Sequence, residues 1–173
     1  MVSDLRGRYV GITEFCEVCS PTAQYRYIGK PIDAFARHAA TIADLDVAFG
    51  AGSGAAWLVP ELLDLSEFCG CKNKLTQDQL RDVAALLSKA YTYIKVSEFL
   101  LFFAWMKLGR YENFYGSLDP IRITSSFNQF LEDRRRYHSK IEEMLAEQRR
   151  EAERRAPTKS YEQWKQGINE KGQ

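Results

Sequence analysis

Apolar residues recur with helical spacing along most of the chain from Pro31 onwards. They repeat every three or four positions from Pro31 to Phe49, and again from Pro60 to Gly70. This spacing puts the apolar side chains on one face of a helix, and proline is favoured in a first helical turn. We therefore predict a helix over each range, joined through a flexible connection at the glycine-rich residues 50–54.

Thr76 gives the clearest signal for the start of a helix. Its hydroxyl can accept a hydrogen bond from the backbone of Gln79, whose side chain completes a capping box. Leu75 and Leu80 stand on either side of this cap at the spacing of a hydrophobic staple. A helix is predicted to follow, with further helical spacing up to Gly109.

Phe99–Met106 is the longest uninterrupted apolar run. Its eight residues are apolar on more than one face, which is typical of the central helix of a bundle. They are far fewer than the roughly 20 that a membrane-spanning helix needs. Asp119 and Pro120 suit the cap and first turn of a last helix, whose apolar stripe ends at Leu145.

The first thirty residues show neither a helical nor a strand period. We therefore predict an all-α fold: a bundle of about five helices with a long charged C-terminal helix and an irregular N-terminal segment. The predicted organisation is an irregular segment over 1–30, a helical bundle over 31–145, and a projecting charged helix end and tail over 146–173.

Composition and charge narrow the class of protein. The chain has 173 residues, of which 45% are hydrophobic and 13% aromatic, enough for a packed core. Its 24 basic and 23 acidic residues nearly cancel, which does not favour a strongly basic nucleic-acid binder. The polar start of the chain lacks the apolar stretch of a signal peptide. We expect a cytoplasmic protein with no membrane partner.

Four cysteines stand in two close pairs, Cys16-x-x-Cys19 and Cys69-x-Cys71. Thiolates at short spacing can hold zinc, so a zinc-stabilised regulator is one alternative. The spacing of the second pair is atypical, and buried or incidental thiols are the other interpretation. No phosphate-loop lysine and no paired catalytic histidine accompany them. We predict a protein that is not an enzyme and needs no cofactor.

Arginines on the last helix support a second alternative, direct binding of nucleic acid. Arginine side chains can grip phosphates, although acidic residues are interleaved with these ones. The candidate residues are Arg134, Arg135, Arg136, Arg149 and Arg150.

Aromatic and apolar residues in two polar segments predict contacts with another protein. Tyr161, Trp164 and Ile168 have the spacing of a short helix that docks into a groove; the alternative is that this tail packs on its own bundle. Tyr111, Phe114 and Tyr115 make the loop before Asp119 unusually aromatic. These loop residues either fix the angle between two helices or form a partner surface.

Several strings between residues 60 and 136 resemble an uncharacterised family of small helical proteins carried by bacterial phages and conjugative elements. The strings are Glu98-Phe99-Leu100-Leu101-Phe102-Phe103, Lys107-x-Gly109-Arg110-Tyr111, Phe114-Tyr115-Gly116-Ser117-Leu118-Asp119-Pro120 and Phe130-Leu131-x-x-Arg134. The aromatic-Gly-Ser-x-Asp-Pro loop is the most specific of them. The architecture also resembles, at the level of fold, phage replication accessory proteins such as helicase loaders.

This resemblance implies a non-enzymatic adaptor or accessory protein of a mobile genetic element, with a role in DNA replication. Its implied partner is a replication helicase or another replisome component. The family carries no known activity, so the resemblance implies no catalytic residue.

Overall fold

The computed structural model describes residues 1–36, 38–111 and 118–155. These ranges contain eight α-helices, one 3₁₀ helix and no β-strand. The α-helices are α1 (Val2–Arg8), α2 (Ile12–Val18), α3 (Pro31–Ala36), α4 (Ile42–Phe49), α5 (Ser53–Phe68), α6 (Gln77–Ala90), α7 (Val96–Lys107) and α8 (Pro120–Arg155); the 3₁₀ helix is Pro21–Tyr27. The predicted all-α fold is confirmed. None of the described helices is both long and apolar enough to cross a bilayer.

The chain divides into two compact units, Met1–His138 and Ser139–Gln173. The first unit contains α1–α7, the 3₁₀ helix and the beginning of α8. In the second unit, residues 139–155 are helical and none of them is buried. Met144 and Leu145, at the end of the apolar stripe, are about half exposed.

Helix α7 lies at the centre of the first unit, as the sequence predicts. Eleven of its twelve residues are buried, and it packs against α3, α5 and the 3₁₀ helix. Phe99 and Phe102 contact the ring of Phe127 from α8, with centroids 5.0 and 4.9 Å apart. Because large aromatic side chains bury much apolar surface, this cluster is a main source of the stability of the unit.

The prediction of irregular structure for residues 1–30 is wrong, because three short helical segments occupy this range. Each segment has only seven residues. Helix α1 buries Leu5 alone, and α2 buries Phe15 alone. Helices α1 and α2 bury one residue each and the 3₁₀ helix buries three, too few to form a clear repeat in the sequence. These segments therefore depend on tertiary packing rather than on local pattern.

The single helix predicted from Pro31 to Phe49 is interrupted between α3 and α4. Backbone hydrogen bonds to a distant segment cause the break: Val96 donates to the carbonyl of Ala40 at 2.8 Å, and Ile42 donates to that of Ile94 at 3.0 Å. Thr41 then caps α4 through a capping box with Asp44. The apolar spacing is helical on both sides of the break, so the sequence pattern alone does not reveal it.

Helix α5 begins at Ser53 instead of at the predicted Pro60, which lies inside the helix. A proline there removes one backbone hydrogen bond. Trp57 and Leu58, before the proline, are fully buried, and their burial offsets this loss. Gly54 lets α5 approach α4 closely, because a Cβ at this position would lie 2.5 Å from Cγ2 of Ile42.

The caps predicted for the later helices are present. Thr76 Oγ1 accepts a hydrogen bond from the Gln79 amide at 3.2 Å, and Gln79 Oε1 accepts one from the Thr76 amide at 2.9 Å. At the start of α8, Asp119 Oδ1 accepts a hydrogen bond from the Arg122 amide at 3.0 Å. Both caps depend only on neighbouring residues, which is why the sequence predicts them.

Candidate functional site

One face of the largely apolar helix α5 carries Glu61, Asp64 and Phe68. Spacings of three and four residues place them in a row along the helix. Glu61 is fully buried and accepts a hydrogen bond from Nε2 of Gln24 on the 3₁₀ helix, which is fully buried as well. Within the described part of the chain, Glu61 Oε1 and Gln24 Oε1 have no hydrogen-bond partner. Burying the Glu61–Gln24 pair costs much free energy if the carboxyl group is charged, and less if it is neutral.

Burial raises the pKa of Glu61 from 4.5 to about 8. The hydrogen bond from Gln24 and the charge of Lys107 lower this pKa, and the charge of Asp64 raises it, but the loss of solvent is the largest cause. At neutral pH the carboxyl of Glu61 is therefore mostly protonated. Its O–H group can then donate a hydrogen bond inside the protein.

Lys107, the last residue of α7, brings its ammonium group to the same face of α5. The ammonium forms an ion pair with Asp64, and only 5% of the lysine side chain is exposed. Its Nζ lies 5.6 Å from the centroid of the Tyr25 ring and 5.4 Å from that of Phe68. These distances are within the range of cation–π attraction, so one buried cation holds two rings from different helices.

The two rings held by Lys107 are themselves more than half exposed, Tyr25 by 57% and Phe68 by 58%. Leu108, the next residue after Lys107, is 61% exposed. We refer to Tyr25, Phe68 and Lys107 together as the Tyr25–Phe68 surface. It combines aromatic area, which is enriched where proteins bind one another, with a fixed cation between the rings.

The predicted zinc ligands do not assemble. Among the described residues, no group of three or more histidine, cysteine or acidic side chains is placed to hold a metal ion. Burial raises the pKa of the Cys19 thiol, and likewise that of Cys69, to about 11; the pKa of Cys16 is also raised. The absence of such a metal-binding group among the described residues does not favour the zinc alternative.

Tyr111, predicted as a partner-binding residue, is partly buried against its own bundle. Its hydroxyl donates a hydrogen bond to Asp133 Oδ2 at 3.1 Å, and its ring lies 6.2 Å from that of Phe102. Burial, with the nearby Asp133 carboxylate, raises the pKa of Tyr111. This contact agrees with the alternative in which the loop aromatics fix the helices. The other predicted partner-binding residues, Phe114, Tyr115, Tyr161, Trp164 and Ile168, lie outside the described residues.

The arginines predicted to contact nucleic acid are largely ion-paired. Arg134 Nε lies 3.1 Å from the buried carboxylate of Glu98. The remaining pairs are Arg135 with Glu132 at 2.7 Å, Arg136 with Asp133 at 3.4 Å and Arg150 with Glu147 at 3.7 Å. No partner of Arg149 is observed in the described ranges. A helix whose arginines face carboxylates has little free charge for phosphates, so this arrangement does not favour the nucleic-acid alternative.

The first unit also contains a half-open cleft with a volume of about 530 Å³. Residues of α1, α2 and the 3₁₀ helix line it, together with the segment before α4 and the start of α7. Apolar side chains, including Leu5, Phe15 and Leu100, line it, and Arg8 and Arg26 also belong to the lining. Cavities of this volume commonly hold small molecules.

Neither the Tyr25–Phe68 surface nor the cleft is predicted from the sequence pattern. The cleft is built mainly from the N-terminal segment, for which irregular structure was predicted. The surface had one visible signal, since Glu61 and Asp64 interrupt a helix rich in leucine at a spacing that puts them on one face. Nothing local connects this face with Tyr25 or Lys107, which lie 36 residues or more away along the chain.

Comparison with known proteins identifies one related family. The family of unknown function DUF6633 matches residues 74–167. No curated protein and no solved structure matches the chain. The matched range covers more than half of the chain and includes Lys107, whereas Tyr25 and Phe68 precede it.

Proposed function

Since the chain belongs to DUF6633, a family of unknown function, we propose from its structure that it is a non-enzymatic interaction protein, which docks another protein on the Tyr25–Phe68 surface. The observation that carries this proposal is the pair of exposed rings held by one buried ammonium group. Aromatic side chains dominate the binding energy of many protein interfaces. Rings that are already fixed lose little conformational freedom on binding, which favours affinity.

The chemistry of the partner follows from this surface. Lys107 is already neutralised by Asp64, so the surface offers ring faces and apolar edges rather than a free charge. Its partner is therefore a protein that inserts an apolar or aromatic side chain between or beside the two rings. Contacts from the segments around Phe114 and Tyr115 and around Trp164 belong to the same proposal as secondary anchors.

A non-enzymatic role agrees with the state of the reactive groups. Glu61 has a strongly raised pKa but is fully buried, so a substrate cannot reach its carboxyl group. The thiols of Cys16, Cys19 and Cys69 have raised pKa values and are poor nucleophiles at neutral pH. None of these groups is therefore a good candidate for a catalytic residue.

The resemblance to proteins of bacterial phages and conjugative elements extends the proposal. On this basis the protein is an accessory factor of a mobile genetic element, and its partner is a component of the DNA replication machinery, such as a helicase. The resemblance rests on strings such as Glu98–Phe103 and the loop that ends at Asp119-Pro120.

Affinity capture from the native host tests the docking surface. The full chain is compared with a Tyr25→Ala/Phe68→Ala double variant and with Leu86→Ala, a control that removes a similarly exposed apolar side chain from α6. We expect the wild type and the control to retain the same partner, and the double variant to lose it. Thermal unfolding of each variant checks that the fold is intact.

A shortened chain that ends at Pro157 tests whether the tail residues, rather than the Tyr25–Phe68 surface, bind the partner. Retention of the partner by the double variant, together with its loss from the shortened chain, would move the interaction site to Tyr161, Trp164 and Ile168. Capture of nucleic acid alone, equally by all variants, would contradict the adaptor role.

A further inference from the structure

The cleft near the N-terminus has a floor of apolar side chains. Leu5, Phe15, Ala23, Val96 and Leu100 contribute to it from four different helical segments. Each is buried, with between 3% and 6% of its surface exposed. The floor is therefore apolar and only slightly solvated, which suits a hydrocarbon chain or ring.

Two cationic side chains that line the same cleft have no partner in the described part of the chain. Arg8 and Arg26 line it, both are exposed, and neither makes an ion pair or a hydrogen bond with any described residue. Asp4 is the one carboxylate among the described residues of the lining, and it lies 3.5 Å from the terminal amine of Met1. The described lining thus combines two exposed positive charges, not compensated by any described side chain, with buried apolar residues.

From this arrangement we propose that the cleft binds a small amphipathic anion, with a carboxylate or phosphate head and an apolar tail. Guanidinium groups bind such heads through charge-assisted, bidentate hydrogen bonds. The tail displaces water from the floor formed by Leu5, Ala23 and Leu100. A volume of about 530 Å³ accommodates a single-chain ligand of this class.

This site goes beyond the proposed docking function. It is lined by residues other than Tyr25, Phe68 and Lys107. Loss of ligand binding therefore leaves the docking proposal intact, and the reverse also holds.

Calorimetric titration with decanoate, decanol and decylammonium tests the charge preference directly, because the three probes share one chain. We expect decanoate to bind at one site, decanol to bind at least tenfold more weakly, and decylammonium not to bind. In Arg8→Gln/Arg26→Gln the affinity for decanoate should fall at least tenfold. The control Arg135→Gln/Arg150→Gln removes two exposed, ion-paired arginines and should leave the affinity unchanged.

Nuclear magnetic resonance of the methyl-labelled protein shows where the probe binds. Decanoate should shift the methyl signals of Ala23, Leu5 and Val96, and leave that of Leu86 in place. Equal affinity for decanoate and decanol, or full affinity in Arg8→Gln/Arg26→Gln, would overturn the proposal. So would shifts confined to other methyl groups.

Such an anion is either a free small molecule or a membrane lipid. Sedimentation with vesicles of phosphatidylglycerol distinguishes these two sources. Binding of decanoate without sedimentation assigns a free ligand. Binding of decanoate with sedimentation that Arg8→Gln/Arg26→Gln abolishes assigns a lipid headgroup and chain. Both results retain the amphipathic anion as the ligand chemistry.

Discussion

Arg134 on α8 pairs with Glu98 on α7 inside the first unit, at 3.1 Å between Nε and Oε1. Glu98 is fully buried, and His138 Nε2 lies 3.2 Å from the same oxygen. The other carboxylate oxygen accepts a hydrogen bond from the Lys95 amide at 3.0 Å, which caps α7. One buried acid thus joins the start of the central helix to the last helix. This relationship explains why an arginine within a basic run belongs to the fold rather than to a nucleic-acid surface.

Replacing Arg134 by Met should destabilise the protein by about 3 kcal/mol, because it leaves a buried carboxylate without its main counter-charge. Arg135→Met is the matched control, since its ion pair with Glu132 is exposed on both sides. That change should cost less than about 0.5 kcal/mol. Urea unfolding measures both values, and equal losses in the two variants would contradict the structural role of Arg134.

Glu61→Gln should remove a pH dependence of stability. Folding raises the pKa of Glu61 from 4.5 to about 8, so the folded protein binds a proton at this carboxyl group more tightly than the unfolded chain does. Its contribution to stability is therefore complete below pH 4.5 and declines as the pH rises to about 8. At pH 8 the free energy of unfolding of the variant should exceed that of the wild type by roughly 4 kcal/mol, and the difference should shrink towards pH 5.

Urea unfolding at several pH values between 5 and 8 measures this difference. Glu67→Gln, an exposed change on the same helix, should leave the wild-type pH dependence in place. The assignment to Glu61 fails if Glu61→Gln keeps the full wild-type dependence.

Gly54→Ala should destabilise the protein by about 1–3 kcal/mol, because the new methyl group would collide with Ile42. It would lie 2.5 Å from Cγ2 and 3.2 Å from the backbone oxygen of that residue. Gly7→Ala in α1 provides the contrast, since a Cβ added there would meet no atom from other parts of the protein within 4 Å. We expect that change to be neutral or to stabilise by up to about 1 kcal/mol. Thermal unfolding measures the stability of both variants. A Gly54→Ala variant as stable as the wild type would mean that α4 and α5 are not in close contact.

Thr76→Ala should cost about 1 kcal/mol, since it removes half of the capping box of α6. Thr13 in α2 is exposed, and its side chain makes no hydrogen bond with the described residues, so Thr13→Ala is a suitable control. The difference in free energy of unfolding between the two variants measures how much the cap contributes to stability. No difference would show that α6 is held by packing alone.

The features that the sequence predicts correctly are those determined by neighbouring residues. The Thr76–Gln79 capping box and the Asp119 cap need only three or four consecutive residues. The central position of α7 follows from its composition, because a helix that is apolar on more than one face must pack against several neighbours. Local signals of this kind do not depend on the rest of the fold.

Features that depend on distant segments could not be predicted in the same way. The break before Thr41 exists because the backbone of residues 40–43 bonds to residues 92–96. The Tyr25–Phe68 surface needs the 3₁₀ helix, α5 and the end of α7 to meet around Lys107. The short N-terminal helices bury only one residue each in α1 and α2 and three in the 3₁₀ helix, which is too few to form a periodic pattern in the sequence.

Site-specific photo-cross-linking at position 68 tests the proposed docking surface most directly. A benzophenone amino acid replaces Phe68 in the full chain, and a matched variant carries it at Leu86, which is equally exposed on α6. Irradiation in the native host should give one defined protein adduct from position 68 and none from position 86. No adduct from position 68, or the same adducts from both positions, would contradict the proposed role of the Tyr25–Phe68 surface.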